Sequence, residues 1–405
     1  MPGIAERYVR LVLAIGQHDP DYVDAYFGDP AWRPAGPRRP LDALLVDARA
    51  LRRALDEANG SVPAADPLLA LRVTWLDRQL AAAEARLEML AGATFPFDEE
   101  SRRLYDAVAS RVAEADLQPV LDALDHELPG DGSLIDRYSA FRAGFVVPRE
   151  RLPGVFRTAI DECRRRTAAH VALPAGETFT VEYVTGQPWS AYNWFQGRAA
   201  SAIQVNTDLP ITVDRALDLA SHEGYPGHHV HQALTERALV VDRGWVEFTV
   251  YPLFSPQSLI AEGVANFGIE LLFTGDERMA FERDVLYPAA GLDPATASGF
   301  LRVQRLIDKL GPAGHAAARR YLDGEIDRRT AIDWLARWAM MPVERAEQRT
   351  RFFDRYRSYV INYTVGLDLV RAWMERQVGA SSRPDVQWRE FAALLSTPRV
   401  PSGLG

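Results

Sequence analysis

The sequence predicts a mainly α protein with a small β-sheet set next to a histidine-rich helix. Two observations carry that fold class. Long Ala/Leu/Arg/Glu-rich segments repeat apolar residues three and four apart, the spacing of one helix face. Two short, alternating, β-branched segments stand just ahead of a histidine-rich stretch, SHEGYPGHHVHQ, at 221–232.

In chain order, helices are expected at 40–58, 66–91, 99–127, 149–171, 256–274 and 343–378. The fifth, SPQSLIAEGVANFGIELLF, opens with Ser255 at the N-cap and Pro256 at the first helical position, where a missing N–H costs nothing. Strands are expected at TFTVEYV (178–184) and SAIQVNT (201–207), each bounded by Gly/Pro or Asp/Pro signals. GDPAWRPAGPRRP (28–40), LPGDGS (128–133) and TGQPWSAYNW (185–194) read as loops. The break at 128–133 divides the chain into an N-terminal helical region, 1–130, and a region carrying the chemistry, 131–405, as two units or one continuous domain. His126-Glu127 has no second histidine nearby and reads as a surface helix end.

Bulk properties remove several function classes. A net charge of −9 leaves no electrostatic footprint for nucleic acid or an anionic membrane surface. The single cysteine, Cys163, excludes an internal disulfide. The N-terminal apolar run is interrupted by Glu6 and Arg10 and lacks the parts of a signal peptide, and no stretch is long and apolar enough to span a bilayer. A cytoplasmic protein is the expectation.

Of 8 histidines, His222, His228, His229 and His231 fall within one short stretch, with Glu223 directly after the first. A catalytic zinc takes neutral imidazoles and carboxylates, usually three protein ligands. The common helical solution is H-E-x-x-H, in which the glutamate acts as general base. Here position i+4 from His222 is Pro226, and the next histidine is His228. On an unbroken helix six residues rise about 9 Å and turn about 240°, so those imidazoles diverge; His229 returns to the same face but about 10.5 Å along the axis. Either no metal is shared or the helix is broken. Pro226 offers no N–H to the His222 carbonyl and its ring clashes there, while Gly227 tolerates unusual dihedrals. A bulge at Tyr225-Pro226-Gly227 would re-aim His228 toward His222. His229 and His231 stay open at this point: support for a ligand, a donor to a substrate oxygen, or plain packing. A third ligand is expected from another element. Glu262 is the candidate, an acid on an apolar stripe flanked by Ala261, Gly263 and Ala265, with Glu270 as the alternative. The competing reading of Glu262 is an interhelical salt bridge.

HEGYPGHHVHQ resembles the H-E-[AG]-Y-P-G-H-H signature of domain-of-unknown-function family 885, a group regarded as metallopeptidases. AEGVANFGIEL resembles that family's E-G-W-A-x-Y segment, INYTVG (361–366) its Y-K-I-G segment, and IQVNT its strand ending in Asn-Thr. The resemblance covers about residues 180–375, and more loosely HDPDYVDAYFGDP near the N-terminus. Val264, Phe267 and Thr364 depart from the usual Trp, Tyr and Lys, which bears on substrate preference. The family is in turn similar to helical gluzincins such as thimet oligopeptidase and angiotensin-converting enzyme, and aligning their G-H pair on Gly227-His228 makes His228 the second ligand.

The resemblance implies a large helical metallopeptidase-like fold with Zn2+ on His222, His228 and Glu262, and Glu223 as general base. It implies Tyr363 as a donor to the tetrahedral oxyanion and the strand ending at Asn206 as an edge for an extended peptide. His231 and Arg357 are further oxyanion candidates, and His229 and Arg357 candidate substrate contacts. The expected function is hydrolysis of short peptides. The alternatives are a zinc amidohydrolase acting on a non-peptide or modified dipeptide amide, and a non-catalytic helical binding protein.

Overall fold

Glu6 and Arg10, which interrupt the N-terminal apolar run, pair with each other at 2.8 Å on the outer side of a helix, Pro2–Gly16, whose Tyr8, Val9, Val12 and Ile15 are buried. The computed structural model describes residues 1–59, 66–187, 189–379 and 383–405. The chain is mainly helical with two small sheets. Helices Leu41–Asn59, Pro67–Leu90, Leu152–Ala168 and Pro256–Leu272 lie where the apolar spacing places them, within a few residues. Ser255 is the N-cap of the last of these, but its hydroxyl donates back to the Pro252 carbonyl at 2.7 Å instead of capping.

Two long segments expected as single helices are broken. The segment 99–127 divides into Phe97–Tyr105 and Glu114–Glu127, with Asp106 in a left-handed conformation (φ 54°) that Asp tolerates better than most residues. The segment 343–378 divides into Val343–Tyr356, a 3-10 stretch Arg357–Tyr363, and Val365–Val378. Arg357 there has φ 51°, a strained value for a side-chain-bearing residue. Buried Glu100 holds it in place, accepting hydrogen bonds from Arg357 Nε at 2.6 Å, Ser358 N at 3.1 Å and Ser358 Oγ at 2.6 Å.

Strand β1 (Val23–Tyr26) pairs antiparallel with β5 (Val250–Pro252). A second sheet runs in the order β2 (Thr178–Val184), β4 (Ala200–Asn206), β3 (Ala191–Gly197), with β4 parallel to β2 and antiparallel to β3. This corrects one expectation. The strand ending at Asn206 is central and has both edges filled, so it offers no edge to a peptide; the edge strand beside the histidines is β3, which starts inside the segment expected to be loop.

One apolar core runs from Tyr8 to Val400, and so crosses the 128–133 break; a second runs from Phe145 to Leu404. The helix Pro256–Leu272 serves both: Leu259 belongs to the first, Ile260 and Val264 to the second. A helix apolar on nearly every side is one that is enclosed. Its glycines set the closeness. A Cβ on Gly263 would lie 2.4 Å from the Gly366 carbonyl oxygen, and one on Gly268 would lie 2.9 Å from Cγ of Pro226. Gly263→Ala is therefore expected to push this helix off Val365–Val378 and to destabilise the fold by roughly 1–3 kcal/mol, the usual cost of overpacking. Chemical denaturation checks it; an unchanged midpoint would mean the two helices separate freely.

Candidate metal centre

Leu219 closes a short helix, Val213–Leu219, that runs into a π-helical turn, Ala220–Gly224. The chain then turns through a cis Tyr225-Pro226 peptide and restarts as the helix His228–Thr235. Gly227 N donates to the Ser221 carbonyl at 3.0 Å, and a Cβ on Gly227 would lie 1.9 Å from the His222 carbonyl oxygen, so only glycine fits. The wide turn and the re-entrant loop absorb the extra residues of the H-E-x-x-x-x-H spacing. Ligand atoms of His222, His228 and Glu262 consequently lie within 4.8 Å of one another. His222 Nε2 is 3.3 Å from Glu262 Oε2, and His228 Nε2 is 3.8 Å from Glu262 Oε1.

The donor set suits a divalent cation of the zinc type: two imidazoles and one carboxylate, all converging. Two features support that fit. Glu262 Oε2 is buried without a hydrogen bond. His222 is oriented from behind by a 3.0 Å contact between Nδ1 and Asn266 Oδ1, while Asn266 Nδ2 donates to the Tyr363 carbonyl at 3.1 Å; such outer partners fix a ligating imidazole and its tautomer. Glu270, by contrast, is exposed and ion-paired to Arg371 at 2.5 Å, outside this group.

The electrostatics favour the deprotonated, ligating form at His228 and Glu262 and the protonated form at His222 in the metal-free chain. Burial, with the charge of His222, holds the His228 pKa down to about 3, keeping it in the neutral, ligating form. Burial also pulls on His222, but the nearby Glu262 carboxylate, 3.3 Å away, and the charge of Glu223 outweigh it, and its pKa rises. Burial opposes ionisation of Glu262 too, but His222 and His228 outweigh it and hold that pKa low. Glu223 is buried, with Oε1 4.0 Å from His222 Nε2, and burial lifts its carboxyl to about 7.

The remaining expected residues fall into two groups. Tyr363 and His231 are near the three converging residues: Tyr363 feels Glu262, and His231 is felt by His228. Tyr363 feels the charges of Glu262 and Glu223, and burial above all keeps it protonated. His231 is buried with no partner for Nδ1. His229 turns away: Nδ1 meets Ser201 Oγ at 2.9 Å, and Nε2 meets Glu177 Oε2 at 3.1 Å. Tyr225 and Arg164 donate to the same carboxylate, so both ring nitrogens of His229 are engaged in a structural network. The Asn206 side chain is likewise engaged, donating to the Gln187 and Trp189 carbonyls at 2.9 Å and accepting from Asp208 N at 3.0 Å. Arg357 is bound to Glu100, as above.

Four residues near the centre escape sequence reasoning. Tyr359 OH donates to Glu262 Oε1 at 2.9 Å. Asn193, on β3, donates to the Glu223 carbonyl at 2.7 Å and leaves its own Oδ1 buried and unpartnered. Asp24, on β1, accepts from Tyr192 OH; burial, then the charges of Glu262 and Glu223, push its carboxyl up to about 8. Asn266 is the fourth. The only sequence signals were position: Asn266 stands one turn after Glu262, and Asp24 lies in the loosely matching N-terminal segment.

No family model and no curated protein matches this chain. Two solved structures share its fold. A "putative lipoprotein" from Colwellia psychrerythraea superimposes with TM-score 0.53 at 15% identity, over 92% of this chain and 69% of that one. A second, from Shewanella oneidensis and described as "of unknown function", gives TM-score 0.50 at 13% identity, over 90% and 72%. At such identity the likeness concerns the fold alone. Among the described residues no helix is long and apolar enough to cross a membrane.

Proposed function

We propose that this chain is a zinc-dependent hydrolase of short peptides, related to domain-of-unknown-function family 885. The observation that carries the reading is the convergence of His222, His228 and Glu262 within 4.8 Å, with Glu223 beside them. A zinc ion held by these three would polarise the scissile carbonyl and lower the pKa of a bound water. Glu223 takes the proton of the attacking water and returns it to the leaving amine. Tyr363 and His231 are the donors positioned for the negative charge that develops on the substrate oxygen. Arg357, tied to Glu100, is better suited to holding the 357–363 stretch than to touching substrate. An extended peptide lies along the outer edge of β3, where Asn193 links the strand to the backbone of Glu223.

An intact base beside a ligand favours a hydrolase over a binding protein, since a purely structural site has no use for one. Incubation of the full chain with a mixture of short peptides, read by mass spectrometry, tests the proposal. Cleavage is expected, abolished by a chelator and restored by zinc. Peptides left intact by a zinc-loaded chain, with modified dipeptides or other amides cleaved instead, would favour the amidohydrolase. No turnover of any amide would favour the binding protein.

A further inference from the structure

Several arginines of the interior are neutralised: Arg72 by Glu247 at 2.5 Å, Arg86 by Asp19 at 2.6 Å, Arg319 by Asp98 at 2.8 Å. Beside the candidate metal centre a group of four lacks such partners. Arg142, Arg215, Arg345 and Arg349 are all partly buried, and among the described residues none has a carboxylate within 4.0 Å. They come from three elements. Arg345 and Arg349 stand four apart on the helix Val343–Tyr356, so they share a face, an arrangement that like charges disfavour. Arg142 lies in the last turn of the helix Leu134–Ala143, and its guanidinium reaches the Thr212 hydroxyl at 3.5 Å. Thr212 is the N-cap of Val213–Leu219, the helix that carries Arg215 and then runs on toward His222.

The cluster is joined to the centre at two points. Arg349 lies 5.6 Å from the Tyr363 ring, which meets the Tyr359 ring at 5.9 Å, and Tyr359 OH bonds Glu262. Arg215 stands seven residues before His222, and its charge is felt by His222 and Glu223. Arg349 Nε is buried with no acceptor. Burial, then the charges of Arg215, Arg142 and Arg349, press the Arg345 pKa down to about 10, as expected of guanidinium groups sharing one space. Asp308 also feels Arg215, but it stands beyond ion-pair distance.

We propose that Arg142, Arg215, Arg345 and Arg349 form an anion-binding site beside the metal centre that takes the carboxylates at the C-terminal end of a short peptide, best satisfied by an acidic last residue. Unpaired, partly buried charge is costly to keep unless a ligand compensates it. The guanidinium fork matches a carboxylate bidentately, and an acidic C-terminal residue brings two carboxylates to four arginines. The proposal builds on the peptide hydrolase reading and adds direction to it: the substrate is held by its carboxyl end, and cleavage falls near that end.

Calorimetric titration of the metal-free full chain tests the site apart from catalysis. The probes are the tripeptide Gly-Gly-Glu, the carboxylate-free amide Gly-Gly-Gln-NH2, and inorganic phosphate. The acid is expected to bind at least about tenfold more tightly than the amide, and Arg345→Gln and Arg349→Gln each to weaken it by about tenfold or more, with Arg349→Lys retaining part of the affinity. Arg345→Gln should not lower the thermal midpoint, since it removes a charge with no carboxylate partner, and Arg349→Gln should lower it only by the loss of its stacking on Phe352. Equal binding of acid and amide, wild-type affinity in the variants, or a large drop in midpoint would overturn the proposal. Binding of phosphate without the tripeptide would overturn the carboxylate assignment. Absence of zinc or of peptide cleavage would count against the hydrolase and leave this binding result standing.

Discussion

Glu223→Gln is expected to abolish hydrolysis while leaving the metal bound. The substitution keeps the size of the side chain and its hydrogen-bonding capacity but removes the base. Glu223 lies outside the group of three converging donors, with Oε1 4.0 Å from His222 Nε2; in the proposed mechanism it faces the attacking water. General bases contribute on the order of 10²–10⁴-fold to rate, so kcat/KM should fall by that much. Metal content and folded content should match the wild type. Wild-type turnover in Glu223→Gln would remove the residue from the reaction; loss of metal would make it a ligand.

His228→Ala and His229→Ala, adjacent in sequence, are expected to fail in opposite ways. His228 faces Glu262 at 3.8 Å and is held neutral by burial, so its removal should cost the metal while the helix His228–Thr235 remains. His229 is bound through both nitrogens to Ser201 and Glu177. Its removal leaves a cavity and a buried carboxylate short of one donor, a loss of about 2–3 kcal/mol in stability with metal retained. Elemental analysis and denaturation of the two variants side by side separate these outcomes. Metal lost with His229→Ala and kept with His228→Ala would reverse the geometry.

The residues that converge were the most legible part of the site because their chemistry is rare in a chain and their irregular spacing came with its own remedy. Pro226 and Gly227 announce a break where His222 and His228 need one, and the structure places a π-helical turn and a re-entrant loop there. Glu262 stood out as an acid on an apolar helix between small residues. The supporting groups were not legible. Asn266, Tyr359, Asn193 and Asp24 are single polar residues from four elements, and nothing local distinguishes them until the fold brings them together. The same holds for the arginine cluster, whose members span positions 142 to 349 among many ion-paired arginines. The helices Leu41–Asn59, Pro67–Leu90, Leu152–Ala168 and Pro256–Leu272 followed from apolar periodicity, but Pro2–Gly16, Leu134–Ala143, Ala297–Asp308, Pro312–Leu322, Arg328–Trp338 and Pro384–Leu395 were not read from it, nor were the breaks at 106–113 and 357–363. No Gly or Pro marks the breaks, and at Arg357 the strained backbone is imposed by a distant carboxylate, Glu100. Strand β3 was hidden by turn signals at its start, although its pairing with β4 makes it the edge nearest the site.

The central claim is that one metal ion sits on His222, His228 and Glu262. Its most direct test is elemental analysis of the purified full chain beside Glu262→Gln, each incubated with zinc and freed of excess. One zinc per chain in the wild type, lost in Glu262→Gln at equal folded content, is the predicted result. No zinc in the wild type, or the same content in both proteins, would contradict it.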